Sequence, residues 1–136
     1  MLTAAFFYLC LSVVVAVALW RGRRDERLGA LAVTGAALAS PFVVDQRFTG
    51  RETWLLLIDL ALFVVLGMIA LRSNRFWPLW AAGFQLGALA VHVAAGQLRD
   101  LVPAAYAETL AIWSYAVLAA LLVGSFEASR READRS

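Results

Sequence analysis

Residues 53–96 read TWLLLIDLALFVVLGMIALRSNRFWPLWAAGFQLGALAVHVAAG. Two apolar runs, 53–71 and 76–96, are separated only by Arg72-Ser73-Asn74-Arg75. Each run is long enough for a helix to cross the hydrocarbon core of a bilayer, for which about 20 predominantly apolar residues suffice. The link is too short to do anything but reverse the chain, so the two segments are expected to form an antiparallel hairpin of membrane-crossing helices. Pro78 falls in the first turn of the second segment, where a missing N–H costs little.

The same reading extends outward in both directions. Residues 2–20 form an apolar first helix that ends at the charged turn Arg21-Gly22-Arg23-Arg24-Asp25-Glu26-Arg27, which cannot enter lipid. Residues 28–44 form a shorter, Ala- and Gly-rich segment with Pro41 near its end. For that segment a full span and a re-entrant or buried helix both remain open. After a connection from Gln97 to Val102, Asp100 is a candidate N-cap and Pro103 takes the first position of a fifth helix, 104–126. The charged tail 127–136 is expected to fray or to add a short helical extension. There is no internal repeat, and the expectation is one all-α integral membrane domain over residues 1–136, with five transmembrane helices.

Composition supports this class. Of the 136 residues 62% are hydrophobic and 16% charged, against about a quarter charged in an ordinary soluble domain. All 12 basic residues are Arg, and together with the wealth of Ala, Leu and Val this reads as the coding bias of a GC-rich bacterial genome, which places the chain in a bacterial inner membrane. The arginines sit at segment boundaries rather than along one face, so the net charge of +2 does not call for a nucleic-acid partner. Cys10 is the single cysteine and reads as a packing residue, and Leu9 before it excludes a lipobox. The 2–20 block lacks a basic n-region and a convincing cleavage site, so it is read as a retained helix and not as a signal peptide.

Counting arginines orients the bundle. With five spans, Arg21, Arg23, Arg24, Arg27, Arg72, Arg75, Arg130, Arg131 and Arg135 share one side, and Arg47, Arg51 and Arg99 the other. If 28–44 failed to cross, the 12 would divide seven to five. Cytoplasmic loops carry the excess of basic residues, so the expected topology is N-out and C-in. Trp20, Trp77 and Trp80 then mark the inner boundary and Trp54 the outer, while Trp113 sits deeper and packs.

Ionisable groups inside a membrane helix are costly and are examined with their partners. Asp59 lies roughly 7 to 8 Å past Trp54 and His92 roughly 10 Å before Arg99, at 1.5 Å per residue. Matched depth on paired helices lets the two face one another, either as a proton or ligand pair or as one hydrogen bond that fixes the hairpin register. Gln85, His92 and Arg99 recur every seven residues with Ala81 and Ala88 between them, so Gln85 joins the candidate pair on one stripe. Gly83 and Gly87 lie on the opposite face in a GxxxG pattern that suits close helix packing, within the chain or between chains. The 28–44 segment has similar small-residue ridges, Gly35 with Ala39 and Ala32 with Ala36 and Ser40. Glu108, in the first turn of helix five, complements the helix dipole.

No motif specifies a reaction. His92 is the single histidine, and Met68, the other candidate axial ligand, falls about 21 Å in from Trp54, so a haem site is not expected within one chain. There is no phosphate-binding loop, no metal-ligand spacing and no nucleophile–base set. The chain is therefore expected to need no cofactor and to be non-enzymatic. Two functions follow: an accessory or structural subunit packed against itself or a larger membrane partner, or a small proton-coupled carrier using Asp59, His92 and Gln85. The run from Arg72 through Phe76-Trp77-Pro78-Leu79-Trp80, followed by Gln85 and His92, resembles a segment of short, uncharacterised multi-span bacterial membrane proteins, and that resemblance implies no activity.

Overall fold

A segment in lipid must satisfy its backbone hydrogen bonds internally, and the computed structural model, which describes residues 2–44, 51–97 and 103–136, is helical throughout these apolar blocks. The helices are α1 (Leu2–Arg21), α2 (Arg24–Val44), α3 (Arg51–Arg72), α4 (Trp77–Gln97) and α5 (Pro103–Ala133). Four of them, α1, α3, α4 and α5, are long and apolar enough to cross a membrane. Helix α2 is not among the four, because its first turn is Arg24-Asp25-Glu26-Arg27 and its body is diluted by Thr34, Gly35 and Ser40.

Two boundaries differ from expectation for identifiable reasons. Helix α2 starts at Arg24 instead of Leu28, because Asp25 and Glu26 belong to its first turn, where acidic groups complement the helix dipole. Helix α5 runs past Phe126 to Ala133, so of the two expectations for the tail the helical extension is the one found, and Ala128 within it is fully buried against the bundle. Glu108 lies beyond the first turn of α5 on its exposed side, so it is not the dipole partner expected from sequence. Asp100, Arg47 and Arg99 lie outside the described residues.

Each helix packs on its chain neighbours, and α5 returns to α1, closing a five-helix ring with a smaller α2–α5 contact across it. Cross-helix contacts fix the directions. Tyr8 meets Ala37 and Asp59 meets His92, so α1/α2 and α3/α4 are antiparallel, while Arg21 lies 5.6 Å from the Phe126 ring, so α1 and α5 run the same way. One end of the bundle thus gathers the α1–α2 turn, the α3–α4 turn and the end of α5, with their arginines. The core between the ends is Leu11, Val14 and Ala18 from α1, Val33 from α2, Leu62 and Leu66 from α3, Ala81 from α4 and Leu121 from α5. Around the perimeter Leu9, Leu31, Val64, Leu79, Val93 and Ile112 are exposed, an apolar belt that water would not tolerate and lipid would. This is the surface of a multi-span membrane protein.

Pro41 lies inside α2 and has no N–H to offer Ala37, four residues earlier. The orphaned carbonyl is not left bare: the Tyr8 hydroxyl of α1 donates to Ala37 O at 3.3 Å. A break in one helix has become a tie to its neighbour, as lipid-embedded backbone requires. The prediction is non-additive. Tyr8→Phe should lower bundle stability by about 1 kcal/mol, and the same change in a Pro41→Ala background should cost almost nothing, because an alanine at this position restores the intrahelical donor. Denaturant unfolding of the four proteins in mild detergent measures the coupling, and equal costs in both backgrounds would remove this role from Tyr8.

Candidate functional site

Among the described residues, the buried polar side chains are Glu26, Gln85, His92 and Ser125. Ser125 spends its hydroxyl on Leu121 O, one turn back in α5. The other three nucleate two clusters, one at each end of the bundle.

The cluster at the basic end is built on Glu26, which has no exposed surface. As the third residue of α2 it turns back on the helix start, and its Oε2 accepts the backbone N–H of Arg23 at 2.8 Å, the acidic half of a capping box. Its Oε1 accepts from Arg75 Nη1 at 2.9 Å and from Trp77 Nε1 at 2.8 Å. The same Arg75 nitrogen lies 3.4 Å from Gly124 O of α5. One carboxylate therefore joins α2, the α3–α4 turn, α4 and, through Arg75, α5. Trp77 fits because a Cβ at Gly29 would stand 2.5 Å from its ring and one at Gly124 2.3 Å. Sequence reasoning misses this cluster, since it assigns Glu26 to a solvated turn and Trp77 to the interface as an anchor. Trp77 is instead 3% exposed, whereas Trp20 at 80%, Trp54 at 58% and Trp80 at 61% lie on the surface. The signal that could have found it is an acid at the third position of a helix, together with an Arg in the next tight turn and a Trp beside it.

The second cluster lies toward the opposite end, between α3, α4 and α5. His92 Nε2 and Asp59 Oδ2 are 2.6 Å apart, and Gln85 Nε2 donates to Asp59 Oδ1 at 2.9 Å and to Asp59 O at 3.2 Å. The structure thus brings together the three residues singled out from sequence. It adds a fourth, Tyr106 of α5, whose hydroxyl contacts His92 Nδ1 and whose ring meets the imidazole edge to face. No signal points to Tyr106, since nothing in the sequence sets the rotation of α5 against α4. The His92 side chain is 2% exposed and that of Asp59 27%.

The partners determine the proton inventory. A singly protonated imidazole with its hydrogen on Nε2 donates to the Asp59 carboxylate, and Nδ1 then accepts from the Tyr106 O–H. A doubly protonated ring donates to Asp59 and to the Tyr106 oxygen instead, after the hydroxyl hydrogen swings away. Both forms leave every ring nitrogen satisfied.

Gly83 and Gly87 separate in the structure. A Cβ at Gly87 would stand 2.8 Å from the Trp113 ring of α5, so this glycine admits a neighbour within the chain, whereas Gly83 faces open space. Met68 is exposed on α3, away from His92. Among the described residues no three His, Cys, Asp or Glu side chains come together as a metal site. Two apolar grooves also lie on the surface of the bundle. One, of about 380 Å³, lies between α4 and α5 against Trp80, Phe84 and Val123, and the other, of about 280 Å³, lies between α2 and α3 against Gly35, Ala39 and Ala61.

No protein-family model, curated protein or solved structure matches the chain.

The basic-end cluster predicts how stability responds to mutation. Glu26→Ala leaves the part-buried Arg75 without its counter-charge and should destabilise the bundle, by up to about 3 kcal/mol. Arg75→Met with Glu26→Leu, which removes both charges, should recover much of that loss. Thermal or denaturant unfolding in detergent reads both, and a double variant no better than Glu26→Ala would mean that the pair itself is not the seat of the effect.

Proposed function

We propose that this chain is a non-enzymatic subunit of a bacterial inner-membrane complex, crossing the bilayer five times with its N-terminus outside and its C-terminus in the cytoplasm. The orientation rests on the gathering of Arg21–Arg27, Arg72, Arg75 and the end of α5 at one end of the bundle and on the cytoplasmic preference of basic residues. The fifth span is α2. Beyond its charged first turn, residues 28–44 of α2 rise roughly 25 Å, at the short end of what a membrane-crossing helix needs, and its weaker apolarity is tolerable because α1, α3 and α5 cover much of it.

The observation that carries the subunit reading is the α2–α3 face. Ala32, Gly35, Ala36 and Ala39 line a groove against Ala61 and Val65, with open space over Gly35. Association in lipid depends on close van der Waals approach, and small-residue grooves are where a further helix seats. A small proton-coupled carrier is the second reading, and the direct contact of Asp59 with His92 favours it. Against it stands the layer of Leu66, Ala81 and Leu121, all without exposed surface, between Gln85 and the Glu26 cluster. Among the described residues that layer interrupts the buried polar side chains between the two ends.

Native mass spectrometry of the protein extracted gently from its own membrane should find it with a second, stoichiometric polypeptide, and in proteoliposomes the isolated chain should carry no proton-coupled flux. A lone chain whose flux is lost in Asp59→Asn would make the carrier the correct reading. Gly83→Leu probes packing against other chains without disturbing this one, whereas Gly87→Leu strikes Trp113 and should impair the fold itself. For topology, a Cys10→Ala, Ser136→Cys variant should react with a membrane-impermeant thiol reagent only after the inner membrane is breached.

A further inference from the structure

We propose that the groove between α4 and α5 at the basic end of the bundle binds one phospholipid with an ammonium headgroup, one acyl tail lying in the groove and the ammonium on the Glu127 carboxylate. The site rests on the multi-span membrane setting alone, and neither the subunit reading nor the choice of membrane face enters it.

The groove is a slot with one closed end. Its α4 wall is the ridge Phe76, Trp80 and Phe84, and its α5 wall is Ala119, Val123 and Glu127, the members of each wall standing one turn apart. Each wall covers roughly 12 Å of helix. Bulky rings on one side face short side chains on the other, which leaves about 380 Å³ between them. Toward the middle of the bundle Phe84 meets the ring of Trp113 at 6.4 Å, and Trp113 itself lies over Gly87, so the slot stops there. At the basic end it runs out to Glu127 and Phe76. Phe76 is 72% exposed, Trp80 61% and Val123 58%, so its side is open to lipid. A partner's transmembrane helix, about 10–12 Å across, is wider than such a slot and would have to continue past Phe84 and Trp113. A hydrocarbon tail is narrow and can end where the slot ends.

The charges select the headgroup. Glu127 is the single ionisable side chain among the lining residues and is exposed at an end of the bundle rich in arginine. Its carboxylate nevertheless enters no hydrogen bond or ion pair among the described residues, where the ion pairs are Arg75–Glu26 and His92–Asp59. Arg131, four residues on and on the same face of α5, is exposed and equally unpaired, although an acid and a base in this order on a helix can reach one another. An unspent carboxylate and an unspent guanidinium one turn apart complement the ammonium and the phosphodiester of a zwitterionic headgroup. The exposed rings of Phe76 and Trp80 add the attraction of their faces for the cation. An anionic lipid with a glycerol headgroup would satisfy Arg131 and leave Glu127 facing a phosphate.

Lipid titration read by native mass spectrometry tests the site. In detergent micelles the protein should retain one molecule of phosphatidylethanolamine at least about fivefold more strongly than phosphatidylglycerol of identical acyl chains, the size expected of one exposed ion pair with a cation–π contact. Glu127→Gln, at a side chain that holds nothing else, should bring the two lipids level. Ala119→Trp, which fills the slot from an exposed position, should abolish the retention. Phosphatidylglycerol held as well as phosphatidylethanolamine by the wild type, or a preference that survives Glu127→Gln, would overturn the headgroup assignment. Retention unchanged in Ala119→Trp would overturn the slot as the seat of the tail. A photoreactive residue at Val123 in native membranes should capture phospholipid. Capture of a second polypeptide there would make the occupant a protein, and displacement of the lipid by a lower concentration of a long-chain alkylammonium salt would make it a free amphiphilic cation; either result would overturn the proposal.

Discussion

Glu26 is a carboxylate without surface, and the basic end of the bundle is arranged around that constraint. Removing a charge from water costs several kcal/mol even after relaxation, and the loss is recovered only where geometry supplies a counter-charge and fills the remaining hydrogen-bonding capacity. Here the backbone of Arg23, the guanidinium of Arg75 and the indole of Trp77 together do so. Each donor comes from a different place along the chain. The carboxylate can be satisfied only if the α1–α2 turn, the α3–α4 turn and the start of α4 occupy fixed relative positions. Helix association in lipid lacks the hydrophobic drive available in water. A buried pair of this kind is thus a means of specifying one arrangement among several packings of similar apolar helices.

The consequences spread through Trp77. Anchored at Nε1, its ring lies across the bundle with Gly29 of α2 on one side and Gly124 of α5 on the other. Those glycines set the α2–α4–α5 spacing, which in turn lets α5 continue as a packed helix to Ala133 with Ala128 buried. Tyr8 performs the analogous duty elsewhere, converting the missing donor of Pro41 into an α1–α2 tie. Both devices turn a local liability, a buried charge or a broken backbone bond, into a contact between helices.

The parts legible in the sequence are those that lipid dictates residue by residue. Spans at 53–71 and 76–96 follow from length and apolarity, and the matched depth of Asp59 and His92 follows from rise per residue, so their contact is foreseeable once the hairpin is recognised. Helix rotation is not. It depends on packing among several helices, and so the partner on α5, Tyr106, is invisible in the sequence, as is the split between an internally packed Gly87 and an open Gly83. Glu26 and Trp77 are misplaced for a more instructive reason: the rules that put charges in solvated turns and tryptophans at interfaces are statements about averages. They fail where an acid and an indole satisfy one another.

The two polar clusters are both built on buried side chains but differ in what they leave open. At Glu26 both carboxylate oxygens have defined donors, the guanidinium cannot give up its proton at any accessible pH, and the indole N–H is a donor only, so the cluster has one proton arrangement. At His92 each partner of the ring admits two: imidazole can hold one proton or two, and a phenol can donate or accept. The first cluster can only hold the fold together. The second has the same geometric definition but retains a choice of occupancy, and it sits where α3 and α5 pack on α4, the most extensive helix contacts in the bundle. A bundle built for structure alone could place apolar side chains at Asp59 and His92, as it does one and two turns further along α3 at Leu62 and Leu66.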